Sequence, residues 1–277
     1  MTPTAGLGFK LQHLDEVLAA SEPGLWFEVH AENYMVDGGA RLAALLAVRE
    51  RFPISLHGVG LSLVSTTPPD PDHLERLARL VDRTQPFLVS DHLAWQRWNG
   101  SHHADFLPFP RTKAALAHTI ENVDRVQSRL GRTMLVENPS FYVDLPGHEL
   151  SEPEFLVALA RATGCGILLD VNNVFVSARN LGFDPADALC AIPADLVGEI
   201  HLAGHSADSD PASELLIDSH GAQVADEVWS LYQQLIARIG QRPTLIERDN
   251  DVPAFAALMD ERAAAHAMLS KLAPVDA

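Results

Sequence analysis

Cysteine is nearly absent from this chain: two residues, Cys165 and Cys190, in 277 positions. That excludes a disulfide framework and any thiolate-built zinc knot, and it leaves two isolated thiols of the kind found in a reducing compartment. Positive charge is also scarce, with 20 Lys and Arg against 37 Asp and Glu and a formal net charge of −17. Nucleic acid and anionic membrane surfaces both demand Lys and Arg, so neither is an expected partner. No apolar run approaches the roughly 20 residues needed to span a bilayer, and no basic segment followed by an apolar one opens the chain. A soluble, cytoplasmic protein is expected. Two catalytic signatures are missing as well: no glycine-rich phosphate loop follows the first strand, and there is no G-x-S-x-G turn for a serine nucleophile.

What is there is an alternation. At 47% hydrophobic residues and a mean hydropathy of +0.02, the chain is rich enough for a large core. Short apolar runs at 6–11, 25–31, 54–60, 87–94, 133–139, 166–172, 198–203 and 243–248 read as strands. Amphipathic segments at 13–20, 39–51, 71–84, 112–130, 152–163, 185–191, 224–239 and 253–269 read as helices. Asp70 before Pro71, Ser151 with Glu154, and Asp184 before Pro185 supply N-caps, while Gly131, Gly164 and Gly240 follow helical patterns as stops. Strands alternating with helices predict a parallel sheet with helical crossovers, and without a phosphate loop the closed (β/α)8 TIM barrel is preferred over an open doubly wound sheet. A single domain over 1–277 is expected. Two long connections, 95–111 and 204–223, belong at the mouth as lids or suppliers of ligands.

The strands end on chemistry. Their termini carry Glu28 and His30, His57, His92, Glu137, Asp170, His201 and Glu247. In a parallel barrel all these ends share one mouth. Residues two apart on a strand share a face, which pairs Asp170 with Asn172, sets small Ser55 and Ser90 beneath His57 and His92, and turns Asp91 outward into a structural role. The predicted inward set is therefore His57, His92, Glu137, Asp170, Asn172, His201 and Glu247. One such residue at one strand end is ordinarily just hydrogen-bonded; the coincidence over most of the strands is what points to a metal. Imidazoles with carboxylates and no thiolate describe a site for Fe, Mn or Zn. There are more donors than one ion needs, so two or three ions are expected, with Glu137 as a bridge. The second long connection adds His205, Asp208, Asp210, Asp218 and His220. Of these, Asp218 and His220 form a D-x-H pair able to hold an ion together, whereas Asp208 and Asp210 read as turn formers. His102 and His103 read as solvated loop residues. Trp95, Arg97 and Trp98 form either a wall against substrate or an anchor for the loop.

Seven stretches then match something known. FEVHAENYM (27–35), SLHGVGLSL (55–63), VSDHLAW (89–95), VENPSFYV (136–143), LLDVNNVFV (168–176), EIHLAGH (199–205) and LIDSHG (216–221) resemble, in order, the multinuclear non-heme iron-dependent oxidative enzymes, the family of the methanobactin-biosynthesis oxidase. The resemblance runs from Gly6 to about Leu269. It implies a barrel holding two or three irons, molecular oxygen as co-substrate, and oxidation of cysteine in a ribosomally made precursor peptide, often with a small partner protein that presents the peptide. The implied metal ligands are His57, His92, Glu137, Asp170, Asn172, His201, Asp218, His220 and Glu247. His205 is implied as a ligand or a nearby acid–base residue, and His205 and Asp218 are the implied catalytic residues. The competing readings are a metal-dependent hydrolase or isomerase, such as a zinc phosphodiesterase or sugar isomerase, which sets the same residue types at strand ends, and a barrel that serves only as a docking module.

Overall fold

A computed structural model describes residues 4–98 and 101–272; of Trp98, Ser101, His102, Ala104 and Asp105 it describes the backbone alone. Eight parallel strands close on themselves: β1 Ala5–Gly8, β2 Phe27–His30, β3 Ile54–Gly58, β4 Leu88–His92, β5 Leu135–Glu137, β6 Gly166–Asp170, β7 Val197–Leu202 and β8 Thr244–Ile246. β1 pairs with both β2 and β8, so no edge is left open. The helices α1 Leu14–Ala19, α2 Ala40–Arg49, α3 Pro71–Thr84, α4 Lys113–Leu130, α5 Glu152–Thr163, α6 Val171–Leu181, α7 Pro185–Cys190, α8 Asp226–Ile239 and α9 Phe255–Leu269 fill the crossovers. The predicted TIM barrel is thus observed.

Local chemistry accounts for the helix ends. Asp70 accepts the N–H groups of Asp72 and His73, and Ser151 with Glu154 forms a reciprocal capping box, satisfying donors that the first turn leaves without partners. Gly131 (φ 64°) and Gly164 (φ 71°) end α4 and α5 in the left-handed region, where a Cβ is penalised. Strand alternation then divides the side chains. Leu56, Val89, Val136, Ile167 and Ile200, each at most 1% exposed, face the helices and join one continuous core. The residues between them face the barrel axis, and toward the carboxyl end these are polar.

Three regions depart from expectation, one of them the connection 204–223, where Ser206–Ala207 pairs antiparallel with Leu216–Ile217. The 166–172 strand stops at Asp170, and Val171–Leu181 is helix. The expected strand runs on through Val171 and Asn172, but Asp170 accepts the Asn173 N–H at 2.6 Å and caps α6, so Asn172 sits in a first helical turn and not on the strand face. The connection after β4 is an antiparallel hairpin, Trp95–Trp98 with Ser101–Leu107, where a loop was expected. His102 and His103 accordingly lie in a strand; His103 is exposed, and the side chain of His102 is outside the described residues.

Candidate metal centre

The register puts the mouth residues side by side: His57 lies beside Ser90, His92 beside Glu137 and Asp170 beside His201 on neighbouring strands. His57 Nε2 and His92 Nε2 converge on Glu137 Oε2 at 3.1 and 3.2 Å, and stand 3.4 Å from each other. The far nitrogen of His92, Nδ1, lies 3.2 Å from the Gly58 carbonyl. A carbonyl only accepts, so Nδ1 carries the proton and Nε2 turns a lone pair toward the carboxylate. His57 Nδ1 meets the Ser90 hydroxyl at 2.8 Å. Two imidazoles and a carboxylate oxygen gathered this closely are arranged to share a cation.

The grouping continues across the barrel. Donor atoms of Glu137, Asp170 and His201 lie within 4.8 Å of one another, as do those of Asp170, His220 and Glu247. Glu137 belongs to the first and second sets and Asp170 to the second and third, so the three sets form a chain. Glu137 Oε2 and Asp170 Oδ2 are buried and accept no hydrogen bond, a costly condition for a carboxylate unless a cation completes it. The donor set therefore fits first-row metal ions. Burial, with the Glu137 charge added, pushes Asp170 well above the carboxylate range. Burial also holds His92 far below the usual imidazole value. For His57, burial opposes the charged ring, but the adjacent Glu137 carboxylate overrides it and lifts the pKa to about 10.

The pattern that defines the RiPP precursor modification enzymes MbnB/TglH/ChrH matches residues 4–270. The chain belongs to this family. It is 63% identical over 270 residues to a UPF0276 protein of Caulobacter vibrioides, covering 98% of this chain and 96% of the relative. A UPF0276 protein of Chromobacterium violaceum is 49% identical, covering 95% and 94%. Among solved structures, the 3-keto-D-glucoside 4-epimerase of E. coli superposes with a TM-score of 0.60 at 17% identity, over 96% of this chain and 100% of that one. A D-psicose 3-epimerase does so with a TM-score of 0.59 at 13% identity, over 97% of each. At such identities the epimerases share the fold alone.

Other predicted residues of this family member take distinct places. Asn172 donates Nδ2–H to Asp218 Oδ1 at 2.8 Å and accepts from His205 Nδ1 at 2.8 Å, so it orients both. Asp218 Oδ1 lies 2.7 Å from His220 Nε2, and its Oδ2 accepts from Ser140 Oγ. Asn172, Asp218 and His205 adjoin the third donor set without entering it. Asp208 and Asp210 each accept a backbone N–H two residues on, as turn formers do. Asp91 points outward, accepting from Leu61 N and its neighbour's His92 N; burial pushes it up to about 7. Trp95 Nε1–H bonds the Pro108 carbonyl, tying down the base of the hairpin, and Phe106 from its second strand stacks on His92 at 3.9 Å between ring centroids.

The predicted inward set left out four side chains: Glu28 and His30, named at a strand end, and Glu199 and Asp249, not named. Glu28 and Glu199 lie beneath His201, with Oε1 atoms 3.3 and 3.7 Å from His201 Nε2. His30 and Asp249 flank Glu247, and Lys10 holds Asp249 at 2.7 Å. A signal for these was present: Glu28-Val29-His30 and Glu199-Ile200-His201 repeat one E-x-H spacing at two strand ends, and Asp249 follows Glu247 at the same interval. Glu199 is fully buried with neither oxygen hydrogen-bonded, and burial, reinforced by Glu28, pushes it up to about 8.

Proposed function

We propose that this chain is an iron- and oxygen-dependent oxidase that modifies cysteine in a ribosomally synthesised precursor peptide, with two or three irons at the barrel mouth. The observation that carries the reading is the chain of three donor sets linked through Glu137 and Asp170, in a member of a peptide-modifying family. His57, His92 and Glu137 would hold one ion, Glu137, Asp170 and His201 the next, and Asp170, His220 and Glu247 the third, with Asn172 and Asp218 completing it. Iron bound there supplies a Lewis acid for a substrate thiolate and the electrons for reducing molecular oxygen.

The chain's own groups do the rest. The few cysteines, both far from the mouth, leave the substrate's thiolate without an internal competitor. His205 is tied through Nδ1–H to Asn172, which directs Nε2 away as a proton acceptor; burial keeps the ring neutral near pH 7. Asp218 fixes the His220 ring and, through Asn172, the tautomer of His205. Phe106 stacks on the face of the His92 ring and packs it against the mouth. A cysteine-bearing precursor peptide is the proposed partner, presented by a small accessory protein. No helix among the described residues is long and apolar enough to cross a membrane.

The test is metal analysis and Mössbauer spectroscopy on protein prepared without oxygen, followed by oxygen uptake and peptide mass with a cysteine-containing precursor. Two or three irons per chain and an iron-dependent mass change support the reading. A zinc or manganese protein inert to oxygen sinks it in favour of a hydrolase or isomerase.

A further inference from the structure

The histidines at the mouth differ in what stands behind them. His57 and His92 direct their second nitrogens at neutral oxygens, the Ser90 hydroxyl at 2.8 Å and the Gly58 carbonyl at 3.2 Å. His201 is turned the other way. Its Nδ1 is hydrogen-bonded to Glu247 Oε2 at 3.2 Å and lies 3.7 Å from Glu137 Oε1, on the side of the donor chain, where a cation would take the place of the Nδ1 proton. Its Nε2 faces down the barrel and completes no hydrogen bond; the nearer carboxylate oxygen is Glu28 Oε1 at 3.3 Å, with Glu199 Oε1 at 3.7 Å. Glu28 is 2% exposed and held from below by Ser55 Oγ–H at 2.9 Å, its register neighbour on β3.

We infer that Glu28 is a positioning residue which keeps the His201 proton on Nε2, so that Nδ1 presents its lone pair to the cation shared with Glu137 and Asp170. Without a cation Nδ1–H can bond Glu247; with a cation on Nδ1 the single proton of the neutral ring belongs on Nε2, where the Glu28 oxygen attracts an N–H and repels a bare lone pair. A neutral imidazole has one proton, so placing it on Nε2 frees Nδ1. A carboxylate behind a ligating imidazole also makes it a stronger donor than a hydroxyl or carbonyl does, so the middle position of the chain is the one that Glu28 strengthens. Ser55 holds Glu28 in that pose. The inference rests on the reading that Glu137, Asp170 and His201 hold a metal ion.

The test titrates metal-free protein with cobalt(II) without oxygen, reading the visible spectrum and the equivalents bound. Glu28→Gln keeps the shape and an acceptor oxygen but loses the charge. Expected is the wild-type number of equivalents at saturation, with one of them bound about 10- to 100-fold more weakly; Glu28→Ala weakens it further. Unchanged affinity in Glu28→Gln overturns the inference, and so does loss of a whole equivalent, which would make Glu28 itself a ligand. Histidine ¹⁵N NMR on the zinc-loaded wild type gives a second readout that needs no variant: a proton on His201 Nε2 supports the assignment, and a proton on Nδ1 overturns it. Wild-type protein that binds fewer than two cobalt ions removes the multi-metal reading as well, whereas full wild-type binding with an indifferent Glu28→Gln removes this inference alone.

Discussion

The two ends of the barrel treat charge in opposite ways. At the amino ends of the strands the inward-turned charges are arginines, Arg262 buried and Arg132 and Arg242 half-buried, each on neutral backbone carbonyls. Arg242 bonds Val197 O and Ala194 O, Arg132 bonds Pro86 O and Phe87 O, and Arg262 bonds Ala5 O and Pro23 O. These contacts close acceptors that the turns into the strands leave open, and they need nothing from outside the chain. At the carboxyl ends the charges are carboxylates facing imidazoles and one another, with oxygens of Glu137 and Asp170 left without donors. At one end charge meets acceptors of the chain itself, with Arg132 Nε left over, and at the other carboxylate oxygens are left for groups from outside, the division expected if one end carries stability and the other function.

The sharpest way to break this comparison is Asp170→Asn. Asparagine keeps the N-cap of α6 but removes a donor common to two of the sets, so metal content should drop and turnover of a cysteine peptide should fall by more than about 100-fold, beyond the effect typical of an outer partner. Metal-free Asp170→Asn should meanwhile be no less stable than its parent near pH 8 in urea unfolding, because burial already disfavours the ionised Asp170. A large loss of stability would show that the mouth is structural after all.

Arg262→Ala is the converse. Arg262 is 3% exposed, and removing it leaves the Ala5 carbonyl without its donor, costing about 1–3 kcal/mol. Denaturant midpoints should fall while the metal equivalents stay unchanged. Loss of metal from this distant change would erase the division between the two ends.

Glu199→Gln sharpens the contrast through pH. Burial raises the Glu199 pKa to about 8 in the folded chain, so the folded state holds a proton that the unfolded state has released. Stability of the metal-free protein should then decline as pH rises from about 4.5 to about 8. The glutamine variant lacks that titration, and its urea midpoint should fall less over the same window. Equal slopes would place the charge of Glu199 elsewhere. The smallest effect is expected for His103→Ala on the exposed hairpin strand, within about 0.5 kcal/mol and with no change in metal content.

How much of this was legible in the chain depends on the range of the interaction that decides each feature. Caps at Asp70 and Ser151 and stops at Gly131 and Gly164 act within a few residues, and they fall where the sequence placed them. The strands were readable because their outward faces are apolar at every second position. Strand length was not. Val171–Val176 has β-branched, aromatic character, and only the capping of α6 by Asp170 and the seating of Asn172 against Asp218 turn it into helix. The hairpin after β4 did carry a local signal, the Asn99-Gly100 dipeptide between WQRW and SHHADFL, which the expectation of a loop over 95–111 passed by.

The donors followed the same division. Sequence alone determined that acidic and imidazole side chains close the strands and that no thiolate competes with them, because side-chain alternation and strand ends are local properties of the chain. It also marked the order of seven motifs that places this protein in its family. Only the tertiary structure decided which donors meet. Register between strands set His57 and His92 on one oxygen of Glu137, made Glu137 and Asp170 common to successive sets, and put Glu28 and Glu199 behind His201. Those distances arise from barrel closure between residues far apart in sequence, and no local pattern records them.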